Sequence, residues 1–269
     1  MKLAASNIAL PAYDHVRELR TMRELGLEGI EIAPSRVWKD TWKGLSQGSV
    51  RLYRKQIEAA GLRTVGLHSL FFDHPELGLF CSDEYRSETL EFMVHLSRVC
   101  RDLGGKTLIY GGGRRRGNIP KEEAYSRAIE FCAALCERIQ NHGTSYCFEP
   151  LGSNKMDFIN TVAESLFIVK AVKSASLRVQ LDAEALAHNH EIFEQTFLDV
   201  RPYLVHVHAN EPNFEILGSS GKVDHKSIGE FLRAINYEGY VSIEQKMIGN
   251  KNIKEALAQS IAILSKCYG

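Results

Sequence analysis

Lys106-Thr107-Leu108-Ile109-Tyr110 opens a unit that closes on Ser145-Tyr146-Cys147-Phe148-Glu149, and the stretch they bound decides the fold. Both ends are short, β-rich runs. Between them Ala128, Phe131, Ala134, Leu135 and Ile139 recur at helical spacing. Pro120 stands near the start of that pattern and Gly143 just past its end. A strand, a helix over roughly 121–141 and a second strand form a βαβ unit, which argues for a parallel sheet with helices outside it.

The unit repeats in both directions. Strands are expected at Lys2–Ser6, Gly29–Ile32, Arg63–His68, Lys106–Tyr110, Ser145–Glu149, Arg178–Asp182, Leu204–His208 and Tyr240–Glu244. Helices are expected after each, over roughly 13–25, 47–60, 84–103, 121–141, 161–174, 190–200, 225–236 and 252–266. Gly26, Gly61, Gly104-Gly105, Gly143 and Gly239 sit just past helix ends, where a left-handed cap is expected. Eight units in 269 residues is about 34 residues each. That repeat predicts an α/β chain folded as a single (β/α)8 TIM barrel, one domain over residues 1–269. An open doubly wound sheet would need a glycine-rich turn after the first strand. The chain instead reads Asn7-Ile8-Ala9-Leu10-Pro11 there.

Composition narrows the function classes. Hydrophobic residues make up 44% and charged residues 25%, which excludes disordered, collagen-like and disulfide-scaffold chains. Lys plus Arg and Asp plus Glu number 33 each, so no net field draws the chain to nucleic acid or to an anionic membrane. Cysteines at 81, 100, 132, 136, 147 and 267 form no CxxC pair and read as reduced thiols of a cytoplasmic protein. The apolar run at the start is broken by Asn7, Pro11 and Asp14, too early for a signal peptide. No apolar stretch approaches the ~18 residues of a membrane span.

Alternation along the later strands points to chemistry. Tyr146 and Phe148, Val179 and Leu181, Val205 and Val207, and Val241 and Ile243 form the apolar sets, which must face the helices. The other parity then faces the barrel axis, and it ends in Glu149, Asp182, His208 and Glu244. These four fall at the C-terminal rim, where barrel enzymes build their sites. Three carboxylates converging on one axis cannot all ionise without a cation. With one imidazole they suit a single divalent ion: Mn²⁺, Mg²⁺, Co²⁺ or Zn²⁺. The same parity turns Glu31 and His68 inward as candidate contacts to polar groups of a substrate. His206, one layer below His208, reads as a core histidine.

These residues resemble the sugar phosphate isomerase/epimerase superfamily, the xylose isomerase-like barrels. The resemblance rests on Gly-Leu-Glu-Gly-Ile-Glu-Ile (26–32), Ala-Gly-Leu-Arg-Thr-Val-Gly-Leu-His (60–68), Phe-Glu-Pro (148–150) and Leu-Asp (181–182). It continues through His-Val-His-Ala-Asn-Glu-Pro-Asn (206–213), Gly-Lys-Val-Asp-His (221–225) and Tyr-Glu-Gly-Tyr-Val-Ser-Ile-Glu (237–244). It implies that Glu149, Asp182, His208 and Glu244 hold one metal, usually Mn²⁺, and that Glu149 and Glu244 are the acid/base pair. Ketose epimerases of this superfamily place a substrate histidine three residues after the aspartate. Here that position is Ala185, and His188 follows as the nearest candidate substrate contact. Phe214 stands where they have an arginine, and Lys155 where they have a glutamate. The metal centre matches and the substrate pocket differs.

A metal that chelates a carbonyl oxygen and a neighbouring hydroxyl acidifies the adjacent C–H. One glutamate removes that proton and leaves a metal-stabilised enediolate. Reprotonation gives an isomerase or epimerase acting on a sugar or sugar phosphate. Loss of a β-substituent instead gives a dehydratase or lyase. An endonuclease IV-like phosphodiesterase would need more histidines than the loop after the fourth strand and position 185 supply. A non-catalytic sugar-binding protein would not need four rim ligands.

The loop Gly111-Gly112-Gly113-Arg114-Arg115-Arg116-Gly117 offers backbone donors and guanidinium groups to an anion. Arg115 and Arg116 are therefore expected to read an anionic or bulky part of the substrate, unless the loop is a solvated or subunit contact. Trp38 and Trp42 follow the second strand as either a lid over a sugar ring or ordinary packing. The expected partner is a small-molecule sugar, with no nucleic acid or membrane and a possible homo-oligomer.

Overall fold

Eight parallel strands pair in chain order and close on themselves: β1 Lys2–Ser6, β2 Gly29–Ile32, β3 Arg63–Leu67, β4 Thr107–Tyr110, β5 Ser145–Phe148, β6 Leu177–Asp182, β7 Leu204–Ala209 and β8 Tyr240–Ile243. The computed structural model describes residues 1–248 and 252–269. Nine helices are described: α1 Val16–Glu24, α2 Gln47–Ala59, α3 Asp83–Leu103, α4 Lys121–Ile139, α5 Val162–Val172, α6 Ala183–His188, α7 Glu194–Val200, α8 His225–Ala234 and α9 Ile253–Tyr268. All but α6 pack side by side in a ring outside the strands, with α9 returning to α1. The single (β/α)8 barrel expected from the repeat is the fold found.

The alternation works as the pattern requires. Tyr146 and Phe148 are buried on the helix side, and the Tyr146 hydroxyl donates to the Met93 carbonyl of α3 at 2.5 Å. Helix α4 buries Ala124, Ala128, Phe131, Cys132, Leu135, Cys136 and Ile139. Each large apolar side chain buried this way contributes roughly 1.5–3 kcal/mol. Helix α5 starts on a reciprocal cap between Thr161 and Glu164, which satisfies otherwise orphaned N–H groups.

Two local expectations are corrected. The helix expected over 190–200 is the shorter α7, and a further helix not expected from the sequence, α6, precedes it; between the two, His190 takes a left-handed φ of +56°. Asp182 caps α6, its Oδ1 accepting from Ala185 N at 2.8 Å. Of the predicted left-handed glycine caps, Gly104 has φ +88°, but after α8 Asn236 takes that conformation (φ +55°) and Gly239 does not. Among the described residues, no helix is long and apolar enough to cross a membrane.

Candidate active site

The last inward residues of β5 to β8 meet at the C-terminal rim. Glu149 and Glu244 each follow the last paired residue of their strand by one, while Asp182 and His208 end or nearly end theirs. Lateral pairing sets Asp182 beside His208. One ligand atom from each of Glu149, Asp182, His208 and Glu244 lies within 4.8 Å of the other three. His208 Nδ1 is 3.1 Å from Glu149 Oε1, 3.5 Å from Glu244 Oε2 and 3.9 Å from Asp182 Oδ2. All four residues are buried.

The cluster is supported on its far side. His208 Nε2 lies 2.9 Å from Glu31 Oε2, which leaves Nδ1 facing the carboxylates. Gln180 Nε2 donates to Glu149 Oε1 at 2.9 Å. Asn210 Nδ2 donates to Asp182 Oδ2 at 2.6 Å and to Glu244 Oε2 at 3.1 Å, bridging two of the carboxylates. Neither Gln180 nor Asn210 was singled out from the sequence. The signal was present, because Gln180 shares the parity of Asp182, and Asn210 that of His208. Gly111 completes the cradle: a Cβ there would run into Glu149 Oε2.

Electrostatics show what the donor set lacks. Burial raises the Asp182 carboxyl, and the carboxylates of Glu149 and Glu244 raise it further, to about 8. Burial opposes the charge of His208, but Glu31 and Glu244 outweigh it and hold the imidazole well above its ordinary value. Burial also opposes ionisation of Glu31, but His206, His208 and His68 outweigh it and hold the carboxyl well below the usual range. Hard oxygen ligands with one imidazole fit a divalent ion. The sign of the pH dependence follows. A carboxyl raised from 3.8 to about 8 keeps its proton in the folded state, so the metal-free fold loses stability as pH rises through that window. An incoming cation must displace that proton. His208 must give up a proton as well, so metal affinity should tighten by at least about tenfold per pH unit below 8. Competition titrations between about pH 6 and 9 check this, and a flat profile would contradict it.

Above the cluster opens a cavity of about 580 Å³. Glu149, Asp182, His208 and Glu244 form its floor, and the loops after β3, β4 and β5 form its walls. A hollow of about 960 Å³ at the opposite end of the barrel is larger but contains none of this cluster. Catalytic groups of barrel enzymes gather at the C-terminal face.

The expected substrate contacts separate into two groups. His68 lines the cavity, with Nδ1 3.3 Å from Glu244 Oε1 and Nε2 2.5 Å from Ser6 Oγ. Arg115 also lines it, while its Nη2 donates to the Lys155 carbonyl. Glu31, His188 and Arg116 are not part of the lining. Glu31 is fully buried behind His208, in the place of a carboxylate that orients a ligating imidazole. His188 is exposed at the end of α6, 3.5 Å from Ser153 Oγ. Arg116 donates to the carbonyls of Asp157 (3.2 Å) and Ile119 (2.7 Å). His206 is a buried core histidine, its Nε2 3.1 Å from Glu31 Oε1. Trp38 packs on Tyr53 and Trp42 on His74 and Phe92, so neither covers the cavity.

The glycine–arginine loop owes its composition to packing. A Cβ at Gly113 would stand 2.6 Å from the Phe71 ring. Arg114 is fully buried and donates to the carbonyls of Tyr110, Glu149, Phe158 and Ile159, tying the β4 loop to the β5 loop. Burial lowers its guanidinium to about 10, which leaves it charged at neutral pH. Replacing Arg114 by Ala strands several buried carbonyls. It should cost roughly 3 kcal/mol or more and lower Tm by about 6 °C or more. Thermal melts of the two proteins decide this, and an unchanged Tm would show that the clamp carries no stability.

Residues 19–267 match the family described as the xylose isomerase-like TIM barrel. The chain belongs to that family. It is 30% identical to the 3-dehydro-D-guloside 4-epimerase of Escherichia coli, over 99% of this chain and 100% of the relative. Among solved structures it is similar to a D-psicose 3-epimerase in the presence of D-fructose (TM-score 0.84, 20% identity, all of both chains). It is also similar to a 3-keto-D-glucoside 4-epimerase from E. coli (TM-score 0.81, 21% identity, 99% of this chain and 100% of the other). Within this family the departures expected at Ala185, Lys155 and Phe214 take on a geometry. Ala185 is buried and presents no polar side chain. Lys155 and Phe214 both line the cavity, with Lys155 Nζ 5.2 Å from the Phe214 ring centroid. Lys155 Nζ also pairs with Glu184 Oε2 at 2.5 Å.

Proposed function

We propose that this protein is a divalent-metal-dependent epimerase of a keto-sugar, and that its substrate is a 3-keto-glycoside rather than a free ketose. The observation that carries the reading is the buried rim cluster of three carboxylates and one imidazole under a cavity of sugar size. The names of the relatives support it. Inverting C4 of a 3-keto-guloside gives a 3-keto-glucoside, so 3-dehydro-D-guloside 4-epimerase and 3-keto-D-glucoside 4-epimerase describe one conversion from its two ends. In that conversion the inverted carbon adjoins a carbonyl, which makes its hydrogen acidic enough for a carboxylate once the carbonyl is polarised.

Glu149, Asp182, His208 and Glu244 would hold the ion, Mn²⁺ by preference, with Glu31 orienting His208. A divalent ion there supplies the Lewis acidity that polarises the carbonyl. The protein's own groups do the rest. Glu149 and Glu244 come from the two outer strands of the four, with Asp182 and His208 between them. A sugar seated over Asp182 and His208 therefore has one glutamate toward each face. One removes the proton, leaving a planar enediolate, and the other returns a proton to the opposite face. The 3.3 Å contact from His68 to Glu244 orients that carboxylate toward the ring. The reduced-thiol reading of the cysteines supports a cytoplasmic setting, and an oligomer of identical chains is compatible with it.

The test is direct. Metal-loaded protein should invert C4 of methyl 3-keto-D-glucoside faster than C3 of free D-psicose, as read by NMR. Conversion of D-psicose alone would overturn the glycoside assignment. Failure to convert either would overturn the epimerase reading.

A further inference from the structure

The cavity is chemically divided. Its floor carries the charged cluster, whereas its outer part is walled by Phe72, Leu77, Phe80, Leu151, Met156 and Phe214, from the loops after β3, β5 and β7. Phe72 is 78% exposed at the mouth, with most of its ring open to solvent. Phe214 is held in left-handed backbone (φ +57°), directly after Asn213 in the same conformation (φ +61°). A bulky residue takes that conformation only when its surroundings hold it there, and such residues gather at ligand clamps. Its amide donates to the Glu211 carbonyl at 2.9 Å, and its own carbonyl accepts from Lys246 N at 2.9 Å. These bonds hold the backbone of Phe214, whose side chain lines the cavity where the superfamily's ketose epimerases place an arginine.

The geometry of a pyranoside matches this division. In a six-membered sugar ring C1 lies directly across from C4. With C3 and C4 over the cluster, the anomeric substituent points away from the floor toward the apolar wall. A twelve-heavy-atom hexose needs at most about 360 Å³, taking roughly 30 Å³ for each water-sized group. The cavity of about 580 Å³ leaves space beyond the ring. The cations on this rim do not form a built anion site. Arg114, Arg115 and Arg116 all donate to backbone carbonyls, Arg115 to that of Lys155, and the Lys155 ammonium is paired with Glu184.

We infer that the outer part of the cavity is an aglycone subsite, and that Phe72 and Phe214 select glycosides carrying an apolar, ring-sized aglycone. This rests on the epimerase reading for the orientation of the sugar, and it goes beyond that reading by naming the group attached at C1. Apolar pockets discriminate a single methylene by about 10-fold or more, so a whole ring should be read at least that strongly.

The experiment compares methyl and phenyl 3-keto-D-glucosides on the metal-loaded full chain. Direct binding is measured by calorimetry, and turnover is followed beside it. The phenyl glycoside is expected to bind at least tenfold more tightly than the methyl glycoside. Phe72→Ala, an exposed position that does not endanger folding, should shrink that ratio by at least threefold. Equal affinity of the two glycosides, or a ratio unaltered in Phe72→Ala, would overturn the subsite. Turnover distinguishes the two readings. Inversion of both glycosides with equal affinities sinks the aglycone subsite alone, whereas tight phenyl binding without inversion of either upholds the subsite and sinks the epimerase reading.

Discussion

Glu244→Gln is expected to lower kcat by about 10²–10⁴-fold at saturating metal and substrate, the loss typical of a positioned acid/base group. The substitution is nearly isosteric. It keeps an oxygen for the Asn210 amide that now reaches Glu244 Oε2 at 3.1 Å, so the floor of the cavity should keep its shape. What it removes is the proton acceptor beside His68. Glu149→Gln should act in the same range, because inversion needs a group on each face of the ring. Removing the second after the first should cost far less than the product of the two, since half of an acid/base pair cannot invert a carbon. Steady-state kinetics on all three variants check this. A loss smaller than tenfold in either single variant would remove that glutamate from the reaction.

Asp182→Ala and His208→Ala should each abolish tight binding of the divalent ion. Loss of an outer partner of a ligand already costs about 10–100-fold in affinity, and loss of a ligand should exceed that. Activity should fall in step with metal content. Asp182 also caps α6, so its removal frees Ala185 N and should cost a further ~1 kcal/mol of stability. Asp182→Asn separates the two effects, because it keeps the cap and removes the charge. Elemental analysis after dialysis gives the metal content. Full stoichiometric metal in both alanine variants would contradict the ligand assignment.

Much of this centre was legible in the sequence because a barrel strand contrasts two environments. The helix side demands Val179, Leu181, Val207 and Ile243, so polar residues at the other parity can only face the axis. Family resemblance agreed with that parity at all four rim positions. Depth was not legible. Glu31 and His68 share an inward parity, yet Glu31 stands behind His208 and His68 faces the cavity. Parity says which side a residue faces and not how far along the axis it sits. Long-range contacts were equally hidden. Arg114, Arg115 and Arg116 are alike in sequence, but only the structure shows that carbonyls 35 to 45 residues away claim Arg114. The short helix α6 escaped notice because its six residues cannot show a helical period. Asn210 was overlooked because its strand was expected to stop at His208, whereas β7 runs to Ala209 and carries the inward side one step further.

The most direct measurement of the central claim is turnover of methyl 3-keto-D-glucoside in D₂O by the Mg²⁺-loaded protein, followed by proton NMR and mass spectrometry. The account predicts that C4 inverts, and that each inverted molecule carries one deuterium at C4 and none at C2. Inversion that keeps the original hydrogen at C4, or deuterium appearing at C2 in its place, would contradict proton transfer by Glu149 and Glu244 at the carbon the account assigns.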